Sequence, residues 1–164
     1  MIRVASQTNT QTLEANIGAL TGSGILHINA ETGTEIGTHL WNVGDASGFN
    51  GTMQINQGGL TFTGSGNDFS TASLRLPNLG AISSILLEED VIFGSLTGTA
   101  FADIQPGTYG AGQLNTLMST TVFSGNANLT VVPEPSTYAL IFGALFLALA
   151  VTRKRRKVLS APQS

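Results

Sequence analysis

Along residues 1–130 the chain reads as short runs in which apolar and polar residues alternate, separated by Gly, Asn, Asp and Ser. Alternation puts every second side chain on one face of an extended strand, so the pattern predicts β-strands joined by turns. The clearest runs are Ile25-Leu26-His27-Ile28, Met53-Gln54-Ile55, Leu60-Thr61-Phe62, Leu74-Arg75-Leu76, residues 85–93 and Leu129-Thr130-Val131. Gly58-Gly59, Gly64-Ser65-Gly66-Asn67 and Pro106-Gly107 break them. Within this stretch helical spacing stands out at residues 110–118, where Ala111, Leu114, Leu117 and Met118 recur. A short capping or crossover helix is expected there.

A weak echo runs through these strands. Gly24-x-Leu26-x-Ile28 and Gly51-x-Met53-x-Ile55 lie 27 residues apart, and Gly125-x-Ala127-x-Leu129-x-Val131 repeats the pattern loosely. That spacing falls in the range of stacked solenoid coils, each of which buries its apolar face only against its neighbours. A Gly-rich sandwich would recur in the same way by chance. The expected fold is therefore all-β: a short parallel β-solenoid or a small β-sandwich over residues 1–131, joined to one C-terminal transmembrane helix. Residues around Pro106-Gly107-Thr108-Tyr109 and Phe123-Ser124-Gly125 also resemble the closing segment of Gly/Thr-rich, autotransporter-like β proteins.

Composition narrows the functional classes. Only 10% of residues are charged and there are 20 glycines, whereas an ordinary soluble domain carries about 25% charged residues. Before Val132 the basic residues are Arg3 and Arg75, set against nine carboxylates, so a phosphate backbone would be repelled and no nucleic-acid partner is expected. Cysteine is absent, which removes disulfides, thiolate metal sites and thiol nucleophiles.

The tail carries three devices in a fixed order. Pro133-Glu134-Pro135 holds the backbone extended and free of internal hydrogen bonds, so it can be gripped as a substrate strand. Ser136 or Thr137 can cap the helix that follows. Residues 138–151 carry no charge and include Tyr138, Leu140, Ile141, Phe142, Leu145, Phe146, Leu147, Leu149 and Val151. The stretch is shorter than the roughly 20 residues that cross a full hydrocarbon core, but its flanks can snorkel. Arg153, Lys154, Arg155, Arg156 and Lys157 follow, and the positive-inside rule leaves them in the cytoplasm, with residues 158–164 as a short cytoplasmic tail.

In this order, residues 132–157 resemble the PEP-CTERM sorting domain. The resemblance implies an exported precursor held in the cytoplasmic membrane and then processed near the Pro-Glu-Pro strip by an exosortase, an integral membrane cysteine enzyme. Pro133, Glu134 and Pro135 would be the recognition strip, residues 138–151 the transient anchor, and the five basic residues the retention signal. A lipid bilayer and an exosortase-like enzyme are the implied partners, with exopolysaccharide as a further one. The mature protein is expected at the envelope, on the surface or in the extracellular matrix. Residues 1–20 show no basic stretch followed by an apolar run, so the expectation is an export signal upstream of Met1. A plain single-span anchor that is never cut would leave the Pro-Glu-Pro strip without a use.

Other candidate chemistry is sparse, and neither catalysis nor a cofactor is expected. Residues 64–68 partly match one copy of a calcium-coil repeat, but such sites need tandem copies, and a simple turn is expected. His27, His39, Glu31, Glu35 and Asp45 follow no known metal or acid–base spacing and read as scattered polar surface. Glu88, Glu89 and Asp90 are adjacent, so neighbouring carboxylates would point to opposite faces of a strand; a hairpin turn or a charged edge is expected. The alternative function is a carbohydrate-binding or carbohydrate-cleaving β-solenoid fragment anchored at the membrane, which calls for a row of aromatic or acidic side chains along one face, whereas the single Trp41 stands without an aromatic row.

Overall fold

The computed structural model describes residues 2–4, 12–28 and 38–133. The chain divides into two compact units, residues 1–132 and residues 133–164, and the described residues belong almost wholly to the first.

Among the described residues twelve strands and one α-helix follow one another: β1 (Ile2–Val4), β2 (Thr12–Ile17), β3 (Ile25–Ile28), β4 (Thr38–Val43), β5 (Thr52–Ile55), β6 (Gly58–Thr63), β7 (Asp68–Leu76), β8 (Ile82–Leu87), β9 (Val91–Gly98), β10 (Gly107–Gly110), α1 (Ala111–Met118), β11 (Phe123–Gly125) and β12 (Asn128–Val131). One sheet runs β1-β3-β5-β7-β9-β12-β10 and the other β11-β8-β6-β4-β2. All pairings among the described strands are parallel except β10 with β12. Up to β9 successive strands alternate between the two sheets, which is a short parallel β-solenoid-like arrangement and not an antiparallel sandwich.

The echo in the sequence is the coil repeat. Leu26 pairs with Met53 and Ile28 with Ile55, in register, and Met53 pairs with Leu74 in turn. Side-chain bonds between neighbouring coils join residues 26, 21 and 22 apart: Asn16 with Asn42, Gln54 with Arg75, and Ser73 with Ser95. The third copy of the echo also lies on the first sheet, with Leu129 opposite Val91 and Val131 opposite Phe93. Neighbouring coils are thus one strand spacing apart, about 4.8 Å.

Core columns run along the stack. Leu26, Met53, Leu74 and Leu96 line the inside of the first sheet; His39, Leu60, Ile85 and Phe123 line the inside of the second, beside Trp41, Phe62 and Leu87. Phe69 and Phe93 stack at 4.9 Å, and Phe62 meets them edge-on at 6.4 and 6.0 Å. These three rings come from both sheets and tie them together through favourable ring geometry.

Glycine is required where coils turn closely over one another. A Cβ at Gly66 would collide with the backbone of Gly44 in the coil below. Gly125 has φ +105°, in the left-handed region, and lies directly against the carbonyl of Leu87.

Two details differ from the sequence reading. Residues 85–93 are not one strand: β8 ends at Leu87, Glu88 to Asp90 turn the corner, and β9 begins at Val91 on the other sheet. The turn is therefore a coil corner and not a hairpin. His39 is not polar surface but fully buried, because its place in β4, opposite the buried Leu60 of β6 and on the same face as Trp41, puts it in the inward register.

After β9 the stack closes. β10 runs antiparallel along β12, and α1 packs Ala111, Leu114 and Met118 inward. Gln113 Oε1 accepts the Gly110 N–H at 3.0 Å, which satisfies one otherwise orphaned donor at the helix start. Asn115 bonds Phe123 in both directions, Nδ2 donating to the carbonyl at 2.8 Å and Oδ1 accepting the amide at 2.9 Å. That side chain acts as a one-residue strand on the open edge of β11.

Candidate functional site

The end of the body, where the Pro133-Glu134-Pro135 sequence begins, is the best-defined feature with a functional reading. β12 lies inside its sheet, between β9 and β10, although it is the last described strand. Leu129 and Val131 are buried in the core. At the start of β12, Asp90 accepts the Asn128 N–H at 2.7 Å. Along its length the Thr130 hydroxyl lies 3.0 Å from that of Thr108 on β10. At its end the Val132 N–H donates to the Phe93 carbonyl at 2.9 Å. Pro133 comes next, half-buried, and its nitrogen has no hydrogen with which to continue the ladder.

Of the strip, Pro133 is described. Glu134 and Pro135, the apolar residues from Tyr138 to Val151 and the basic residues Arg153, Lys154, Arg155, Arg156 and Lys157 lie outside the described residues. Among the described residues no helix is long and apolar enough to cross a membrane.

The other candidate residues are not brought together. His27 sits half-buried on the outer face of β3, with its Nδ1 3.3 Å from Asn56 Nδ2, whereas His39 points into the core from the other sheet. Burial holds the His39 imidazole below the ordinary histidine range, since a charge there would lose its water. Asp45 is exposed at a corner; the Ser47 hydroxyl and then the Ser47 amide, both donating to it, lower its pKa. Glu31 and Glu35 lie outside the described residues. Among the described residues no three His, Asp or Glu side chains are grouped to hold a metal ion.

Residues 64–68 form a turn. Gly64 has φ +83°, Asn67 Nδ2 donates to the Gly64 carbonyl at 2.8 Å, and Asp68 caps Ser70 N–H at 3.0 Å. Trp41 is fully buried, so its ring cannot serve as a glycan platform on the folded surface.

Two features were not anticipated from the sequence. One is a polar row across the outer face of the first sheet: Asn56 with His27 and Gln54, and Gln54 with Arg75. Its members come from different coils, so the register had to be known before the row could be seen. The other is an open depression of about 630 Å³ beside α1, lined by Tyr109, Gly112, Gln113, Thr116 and the 52% exposed Leu117. The exposure of Leu117 follows from its place one residue before Met118, which takes the inward position.

No protein-family model matches the chain, and no curated protein or solved structure is significantly similar to it.

Proposed function

We propose that the chain is an exported surface or extracellular-matrix protein with a structural or adhesive role, sorted through its C-terminal tail by an exosortase-like membrane enzyme. The observation that carries this reading is the order of the tail in the sequence: the strip Pro133-Glu134-Pro135, an uncharged stretch that includes the apolar run Tyr138 to Val151, then, after Thr152, five consecutive basic residues out of the chain's seven Lys and Arg. An anchor alone has no use for the strip, and a linker alone has no use for the apolar run or the cations.

The body suits such a role. A stack of coils held by parallel ladders and a continuous apolar interior is a small rod that presents a polar outer face to its surroundings. As precursor it would stand outside the cytoplasmic membrane, with residues 153–157 inside. The rival reading, a carbohydrate-binding or carbohydrate-cleaving solenoid, loses its aromatic platform, since Trp41 is buried.

The test is to express the chain behind a working signal peptide, with one epitope before β1 and another after Ser164, in cells with and without a matching exosortase. The expected result is separation of the two epitopes only where the enzyme is present. Retention of both epitopes on one polypeptide in both cells would remove the sorting claim and leave a plain anchor.

A further inference from the structure

The folded body ends with no spacer before the strip. Val132 makes the last ladder bond among the described residues and Pro133 follows at once. A last strand is ordinarily a sheet edge and frays; β12 is instead bonded on both sides, anchored at its start by Asp90 and buried at Leu129 and Val131.

Reach makes this matter. Residues 133–137 lie between the last ladder bond and the start of the apolar run at Tyr138, and fully extended they span at most about 18 Å. An enzyme that takes the strip as an added strand needs the backbone on both sides of the scissile amide free to pair with it. On the N-terminal side that backbone is Val132 and β12, and its hydrogen-bonding groups are already engaged with β9 and β10.

Resting on the sorting reading above, we propose that β12 is a latch on the processing site: the cut is reached when Asn128–Val131 peels away from β9 and β10, and this opening sets the rate. Peeling adds β12 and Val132 to the tether and frees their backbone. The cut adds water across a backbone amide, leaving a carboxylate on the body and an amine on the anchor. β12 contributes no group to that chemistry; it controls access. A body whose cap has not yet closed is then cut faster than a finished one.

Three full-length chains test this in cells carrying the enzyme, with the rate of cutting followed by pulse-chase: the parent, a chain with a six-residue Gly/Ser insert between Val132 and Pro133, and the double variant Thr108→Cys, Thr130→Cys. The Thr pair lies directly opposite across the two strands, and the chain has no other cysteine, so oxidation staples β12 to β10. The insert, which leaves the body untouched, is expected to be cut several-fold faster than the parent. The oxidised staple is expected to be cut several-fold slower, and the same chain kept reduced at the parent rate, which separates latching from misfolding. Placing the insert in the stapled chain restores fast cutting. Equal rates for parent, insert and oxidised staple overturn the latch while leaving sorting intact; no cutting of any chain, the insert included, overturns both.

Discussion

At its C-terminal end the body closes with an antiparallel strand, a helix and an asparagine that stands in for a strand; at its N-terminal end β1 and β2 are the outermost described strands of their sheets, each bonded to one described neighbour. In a quasi-one-dimensional stack every coil is stabilised by the coils beside it, so a terminal coil with one neighbour opens before an internal one. Among the described residues the two ends are therefore expected to differ in local stability although they share one architecture. Native-state hydrogen exchange should show it, with the amides of β12 protected far longer than those of β2; equal protection would break the comparison.

The largest effect is expected from Phe93→Ala. Its ring stacks on Phe69 and meets Phe62, and all three are fully buried, so removal should lower global stability by about 3–5 kcal/mol in urea unfolding. Leu26→Ala removes a buried side chain close to the N-terminal end and should lose about 2 kcal/mol, the low end for such a change, because those coils can open locally. Exchange protection should fall in β3 and β5 for Leu26→Ala and throughout the body for Phe93→Ala.

Asp90→Ala deletes the acceptor at the start of β12. The bond is solvent-exposed, so about 1 kcal/mol is expected, read as faster exchange confined to β12 and its partners. The smallest effect is that of pH on the N-terminal half. His39 titrates below the ordinary value of 6.5 in the folded state, so the unfolded chain takes up the proton first. The resulting stability is present in full above pH 6.5 and is lost as pH falls from there through the folded-state value. His39→Leu, which fits the column of Leu60 and Ile85, should flatten that dependence in thermal melts between pH 7 and pH 5.

The parts legible in the sequence were those written in adjacent residues. Leu26-x-Ile28 and Met53-x-Ile55 each follow a glycine at the same offset, and the structure pairs them in register. Leu74-x-Leu76 continues the same column but lacks that glycine and comes after a shorter coil, so the repeat was lost to view there. The second sheet was hidden because neighbouring coils, and not neighbouring residues, define its columns. His39 illustrates the difficulty. Its alternation with Trp41 and Val43 marked one face, but only the partners Leu60 and Phe62 in the next coil show that this face is the core. The tail is the opposite case, since strip, apolar run and basic cluster form a linear order that needs no fold to be read. What could not be read was that β12 lies inside its sheet, because that depends on β10 pairing with it from 22 residues earlier, as Thr108 does with Thr130.

The most direct measurement is the intact mass of the protein recovered from the surface of cells carrying the enzyme. Sorting requires a chain that ends within or beside Pro133-Glu134-Pro135, with the apolar run and the five basic residues gone. A mature chain that still extends to Ser164 would contradict it.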